Sequence, residues 1–171
     1  MIRLPDPVAG FRLRPQTADD LPFLAELMGS ARAWERQAFV GDPRVWGALM
    51  AQQAAAQDAH YRAHYPDACF HVLEDAAAGD ERGAAGRLAL CPLADEIRVM
   101  DIALLPSVRG QGRGSALLRA VMAEASRLNL AVRLHVESFN PAQRLYARLG
   151  FRLVEDKGIH RFLEWRSAEQ G

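Results

Sequence analysis

The feature that most constrains this chain is the run Arg109-Gly110-Gln111-Gly112-Arg113-Gly114, in which three glycines alternate with polar residues. It joins two segments of different period. MDIALLP before it is apolar enough for a buried strand, while SALLRAVMAEASRL after it sets Leu117, Leu118, Val121, Met122, Ala125 and Leu128 along one side of a helix. That helix is expected from Gly112 to about Leu128. A strand entering a helix through such a loop leaves unpaired backbone N–H groups at the positive helix end, which suits a phosphate or diphosphate. The alternative is a tight turn that needs glycine only for its backbone geometry.

The rest of the chain fits a mixed α/β sheet built around that junction. FRLR, from Phe11, reads as a short strand closed by Pro15, followed by a helix through LPFLAELMGSA. Pro22 fits only a first turn, which points to Asp19 rather than Thr17 as the N-cap. After a GDP turn at Gly41, a long helix is expected from about Arg44 to His64, ending near Pro66. Cys69 to Glu74 and RLALCPL read as a hairpin about the turn DAAAGDERGAAG, and IRVMDIALLP is a third strand. LAVRLHVES follows the glycine-loop helix. Asn140 at the N-cap, Pro141 at the first position and Gly150 past the end then bound a short helix, and FRLV and IHRFLEW form a last hairpin about DKG. With no repeat and no linker, this order predicts one α/β domain over residues 1–171, with a strand–helix–strand crossover at its centre.

Charge narrows the partners. The 21 basic and 21 acidic side chains cancel, so no global field draws nucleic acid or an anionic membrane. MIRLPDPVAGFRLR has no apolar run of signal-peptide length, and charges interrupt every later apolar run. Cys69 and Cys91, read as two buried thiols, fit a reducing compartment, so the expected location is the cytoplasm. His60 and His64 lie one helical turn apart, a spacing that can bind zinc. Without a third ligand, and with Tyr61 and Tyr65 interleaved, they read as a solvated or substrate-facing helix side, and no metal is expected.

A P-loop is excluded because no GK[ST] follows the spacer. Gly110, Gly112 and Ser115 approach a dinucleotide fingerprint, with Glu137 as a ribose-binding acid. However, Pro106 to Arg109 separate strand from glycines, and too little chain follows Glu137 for a doubly wound sheet.

Arg109-x-x-Gly112-x-Gly114, led in by LLP, resembles the [RQ]xxGx[GA] acetyl-CoA-binding signature of the GNAT superfamily of N-acetyltransferases. NPAQRLYARLGF resembles that family's second signature, at the right separation, and the element order agrees from about Phe11 to Trp165. DIALLP, HYRAHYP and LHVESFNPA are similar to a bacterial subgroup of the same superfamily.

The resemblance implies the GNAT fold, a mostly antiparallel mixed sheet whose central strands splay, with acetyl-CoA (coenzyme A) as cosubstrate. It implies a diphosphate held by backbone N–H groups of Arg109, Gly110, Gln111, Gly112, Arg113, Gly114 and Ser115, with the Arg113 side chain expected in solvent. It implies a pantetheine arm between MDIALLP and AVRLHVES, partnered by backbone groups of Ala103 and Leu104, the Leu104 N–H donating to the thioester carbonyl. Tyr146 matches the family's general acid, although Ala142, Leu145, Tyr146 and Leu149 also form a stripe that would pack an aromatic in any case. Asn140 matches a cofactor-contacting asparagine and also caps its helix. For the base, the candidates are Asp101 and Glu137 on the splayed strands, and His135 on the face of Glu137. The implied reaction is direct attack on acetyl-CoA by a primary amine of a small molecule or a protein N-terminus. The alternative is a non-catalytic acyl-CoA sensor on the same fold. The helix carrying His60 would help wall the acceptor pocket, and members of the family often form homodimers.

Overall fold

The computed structural model describes residues 2–78 and 83–167. In chain order its elements are β1 Phe11–Pro15, α1 Leu21–Ala31, α2 Ala33–Ala38, α3 Pro43–His64, β2 Cys69–Asp75, β3 Ala84–Pro92, β4 Glu96–Leu104, α4 Arg113–Arg127, β5 Ala131–Glu137, α5 Gln143–Arg148, β6 Arg152–Asp156 and β7 His160–Trp165. The strands form one sheet in the order β1-β2-β3-β4-β5-β7-β6. Each neighbouring pair is antiparallel except β4–β5, which is parallel and joined through α4. The expected mixed, mostly antiparallel sheet with a central crossover is therefore the observed architecture.

The parallel pair parts company early. β4 and β5 are in register only from Glu96 opposite Ala131 to Val99 opposite Leu134, so the last residues of both strands face a gap. A bulge in β4 marks the point of divergence. Toward β3, Asp101 faces Ala89 and Val99 faces Leu90, which leaves Met100 as the extra residue. A bulge of this kind bends and twists its strand away from its neighbour. The Tyr61 hydroxyl on α3 donates to the Met100 carbonyl at 3.3 Å, tying the bulge to that helix.

Strand alternation then sorts the chemistry. Val99, Val132, Leu134 and Val136 pack with Leu117, Leu118 and Val121 of α4 and with Tyr146 of α5 in the main core. Each such buried aliphatic side chain contributes about 1.5–3 kcal/mol. Because the bulge shifts the alternation, Asp101 and Ala103 join Arg87, His135 and Glu137 on the opposite face, beneath α1 and α3.

Several local expectations need correction. The cap before α1 is Asp20, not Asp19, because a single 3-10 turn over Ala18–Asp20 precedes the helix. The Thr17 N–H donates to the Asp20 carboxylate at 2.7 Å, and Arg14 donates to it at 2.8 and 2.6 Å. The Arg14 hydrogen bonds outweigh burial and hold this carboxyl down at about 2. Helix α2 has no counterpart in the expected order. Strand β3 begins at Ala84, so part of the expected turn is strand, and residues 79–82 of that turn lie outside the described residues. Cys91 is buried, but Cys69 is only half-buried.

Asn140 opens the α5 turn through its side chain, which accepts from the Ala142 N–H at 2.9 Å, although regular helix begins at Gln143. The other end closes as the Gly150 signal predicts. Gly150 takes φ +89°, its N–H bonds the Ala147 carbonyl, and the Phe151 N–H bonds the Tyr146 carbonyl, both at 3.0 Å. This paired closure satisfies the last carbonyls and fixes the turn that carries Tyr146.

Candidate active site

The loop between β4 and α4 makes an open mouth. Gly110 and Gly112 both adopt φ +73°, a region costly for any side-chain-bearing residue, and a Cβ at either would meet no atom within 4 Å. Gly112 caps α4, whose first intrahelical bond runs from the Ala116 N–H to the Gly112 carbonyl at 3.0 Å. The N–H groups ahead of it, from Arg113 to Ser115, have no partner within the helix. A depression of about 360 Å³ lies over this turn, bounded by Leu104, Arg109 and Ser115 and, from α5, by Leu145 and Arg148. The Gln111 amide closes the loop onto the Ser107 carbonyl at 3.2 Å.

Both arginine side chains are engaged by the protein itself. The Arg109 Nε donates to the Leu104 carbonyl at 2.6 Å and its Nη2 to the Ser30 hydroxyl at 3.2 Å, so it braces the end of β4 against α1. Arg113 does not point to solvent. It donates to the carbonyls of Ala9 and Gly10 at 3.1 and 2.6 Å, pairs with Asp75 at 3.1 Å, and lies 3.7 Å over the Phe11 ring. The turn before β1 consumes this side chain, leaving only the Arg113 backbone N–H at the mouth.

A cleft of about 350 Å³ opens where β4 and β5 diverge, reaching Asp101 and Ile102 on one side, His135 and Glu137 on the other, and Tyr146 and Asn140. The Leu105 N–H donates to the Ala85 carbonyl at 2.8 Å. Alternation therefore directs the Ala103 backbone toward β3 as well, and turns the Leu104 and Ile102 backbone groups into the gap. The Ala103 backbone, expected beside Leu104 in the gap, instead faces β3.

Tyr146 is 7% exposed, edge-on to Phe151 at 5.6 Å between ring centres, and its hydroxyl has no hydrogen-bond partner among the described residues. Burial, helped by the charge of Asp101, pushes its phenol up to about 12, so it stays protonated through the neutral range. Burial also raises the Asp101 carboxyl, against the pull of Arg87, whose Nη1 lies 3.4 Å away. Arg87, 2% exposed, also donates to Asp58 at 3.0 Å and to Gln57 at 3.3 Å. Glu137 is exposed at the end of β5 and makes no ion pair among the described residues. The His135 ring stacks on Phe162 at 4.6 Å, and burial, with the nearby Arg98 charge, lowers its pKa.

A second cavity of about 350 Å³ lies beneath α1 and α2, with Leu24, Leu27, Met28, Trp34 and Phe139 on its walls and Arg87 at its floor. Gln57, Asp101, Glu137 and Asn140 line both spaces, so cavity and cleft meet at the two carboxylates. Helix α3 contributes Gln57 and Tyr61 to these walls. His60 and His64 line neither space; their rings stack on each other at 4.2 Å on the exposed side of the helix. Arg87, Gln57, Trp34 and Arg148 escaped the sequence reading. Only Arg87 carried a local signal, as a lone arginine in an apolar strand.

Comparison with known proteins gives two findings and one absence. The family described as acetyltransferase (GNAT) domain matches residues 66–153. In structure, the chain is similar to the PaiA N-acetyltransferase of Thermoplasma acidophilum, solved in complex with coenzyme A, at a TM-score of 0.64 and 17% identity over 92% of this chain and 99% of that one. It is also similar to an acetyltransferase of Thermus thermophilus, with a TM-score of 0.64 and 18% identity over 92% and 97%. At these identities the likeness establishes a shared fold. No curated protein matches the chain.

Proposed function

This chain belongs to the GNAT acetyltransferase family, and on that premise we propose that it transfers the acetyl group of acetyl-CoA to a primary amine by direct attack. One observation carries the reading: the cleft between the splayed strands and the cavity under α1 and α2 meet at Asp101 and Glu137. A thioester reaching into the cleft and an amine held in the cavity would come together beside a carboxylate.

The residues fit this cosubstrate. The Arg109 N–H, expected among the donors, is taken by the Pro106 carbonyl at 3.3 Å, so the free N–H groups run from Gly110 to Ser115 and offer donors to a diphosphate, with Arg148 adding positive charge at the rim. Within the gap, the Leu104 N–H is available to the thioester carbonyl, while the Ile102 N–H is directed at the Asp101 carboxylate. One such donor to a developing oxyanion is typically worth about 3 kcal/mol. Asp101 or Glu137 takes a proton from the ammonium form of the acceptor, whose pKa for a lysine-like amine is about 10.4. The free amine then bonds to the thioester carbon, the C–S bond breaks, Tyr146 protonates the departing sulfur, and the second proton lost by the acylated nitrogen restores the Tyr146 phenol. The two free cysteines support a reducing, cytoplasmic setting, and no helix among the described residues is long and apolar enough to cross a membrane.

The decisive test is ligand-dependent stability together with thiol release. Acetyl-CoA and CoA are expected to raise the melting temperature, with about 2.7 kcal/mol of stabilisation at a hundredfold excess over Kd, while NAD and ATP are not. Thiol should appear with some amine in a panel. Binding without turnover of any amine would favour the sensor, and stabilisation by NAD alone would sink the reading.

Gly112→Ala tests the loop itself. Its left-handed backbone costs a side-chain-bearing residue about 1–2 kcal/mol, and the added methyl would project into the open mouth. A loss of about tenfold or more in acetyl-CoA affinity is expected by calorimetric titration, with the melting temperature falling by only a few degrees.

A further inference from the structure

Resting on that reading of the site, we propose that the acceptor is an arylalkylamine, a primary amine on an apolar aromatic body that carries no carboxylate. The wall of the cavity under α1 and α2 is apolar. Leu24 and Leu27 are buried along it, at 4% and 3% exposure, while Trp34 and Phe139 stand 66% and 69% exposed on separate segments that both border it. Two large aromatic side chains left open to water around one cavity are best explained by an apolar body that covers them.

Charge sets the other half of the specificity. Three carboxylates, Glu35, Asp101 and Glu137, line the cavity with two guanidiniums, Arg32 and Arg87. Both cations are already engaged. Arg87 is held by Asp58 at 3.0 Å, Gln57 at 3.3 Å and Asp101 at 3.4 Å; Arg32 bonds Gln53 and lies 4.0 Å from Glu35. Glu137, by contrast, has no ion-pair partner among the described residues. An acceptor carboxylate would find no free cation here and would bring like charge toward Glu137, whereas an ammonium group finds an unpaired carboxylate where the cavity meets the cleft. The volume of about 350 Å³ is at the small end of the range for compact ligands.

Calorimetric titration of the CoA-loaded protein with phenethylamine and with phenylalanine tests this, because the two share one aromatic body and differ by the carboxylate. Phenethylamine is expected to bind at least about tenfold more tightly. Trp34→Ala is expected to weaken phenethylamine by at least about fivefold while leaving the affinity for CoA unchanged. Equal or tighter binding of phenylalanine, binding of neither compound, or indifference to Trp34→Ala would overturn the proposal. If CoA itself failed to bind, the acyl-transfer reading would fall instead, and the same titration on the free protein would still judge the cavity.

Discussion

Tyr146→Phe is expected to lower kcat by about two to four orders of magnitude, the range typical of a positioned proton donor, with the Kd for acetyl-CoA unchanged. The substitution is clean because the hydroxyl has no hydrogen-bond partner among the described residues, so its removal orphans no group. The ring keeps its place against Phe151 and in the core, and the melting temperature should stay within a degree or two. Because the lost interaction acts on the leaving sulfur, kcat and kcat/KM should fall together. The pH profile supplies an independent check. With the phenol held up to about 12, the wild-type rate should show no descending limb from Tyr146 until the pH approaches that value. An undiminished kcat in the variant would remove Tyr146 from the chemistry and leave it as a core aromatic.

Arg87→Met is expected to destabilise the protein by about 3–5 kcal/mol, the usual cost of removing one partner from a buried ionic cluster. For a chain of this size that corresponds to a fall in melting temperature of roughly 6–20 °C. Arg87 is 2% exposed and lies between Asp58 on α3 and Asp101 on β4, so its loss leaves both carboxylates short of a cation in poorly solvated positions. Asp58 keeps Arg62 at 2.8 Å and Gln16 at 2.7 Å, whereas Asp101 keeps no cation among the described residues.

The sign of the pH dependence follows from these partners. Burial pushes the Asp58 carboxyl up, but Arg62, Gln16 and Arg87 together hold it below its ordinary value, so its stabilising contribution is present above that value and fades as pH falls. Asp101, already raised by burial, would rise further without Arg87. The stability gap between wild type and Arg87→Met should therefore be widest near neutral pH and narrow as the carboxylates protonate. Chemical denaturation at neutral pH and near pH 4 would read this directly. A gap that does not change with pH would mean that Arg87 acts through packing rather than charge.

The expectations that held are those whose cause is local. The strand-to-helix junction at the glycine loop, the 3.6-residue stripe of α4 and the Gly150 closure of α5 each depend on neighbours a few residues away. Those that failed were decided by distant chain. Arg113 is expected in solvent because nothing near it in sequence suggests a partner; Ala9, Gly10 and Asp75, which engage it, lie 104, 103 and 38 residues away. The same separation hid Arg87, whose carboxylates are 29 and 14 residues distant. The assignment of Ala103 to the gap failed for a subtler reason, since strand alternation fixes which residues share an edge but the pairing with β3 decides which edge.

What the sequence alone determined is the half of the molecule written in short-range terms: the order of the strands and of every helix but α2, the central crossover and a glycine loop entering a helix. Backbone conformation and apolar periodicity specify these before any long-range contact forms. The tertiary structure alone decided that β4 and β5 part after Val99 and Leu134, that Tyr146 and Asp101 border one cleft, and that Trp34 and Phe139 border a second cavity joined to it. Such features arise only when a bulge, two helices and three strands pack together, because an open space belongs to the arrangement of its walls and not to any one segment.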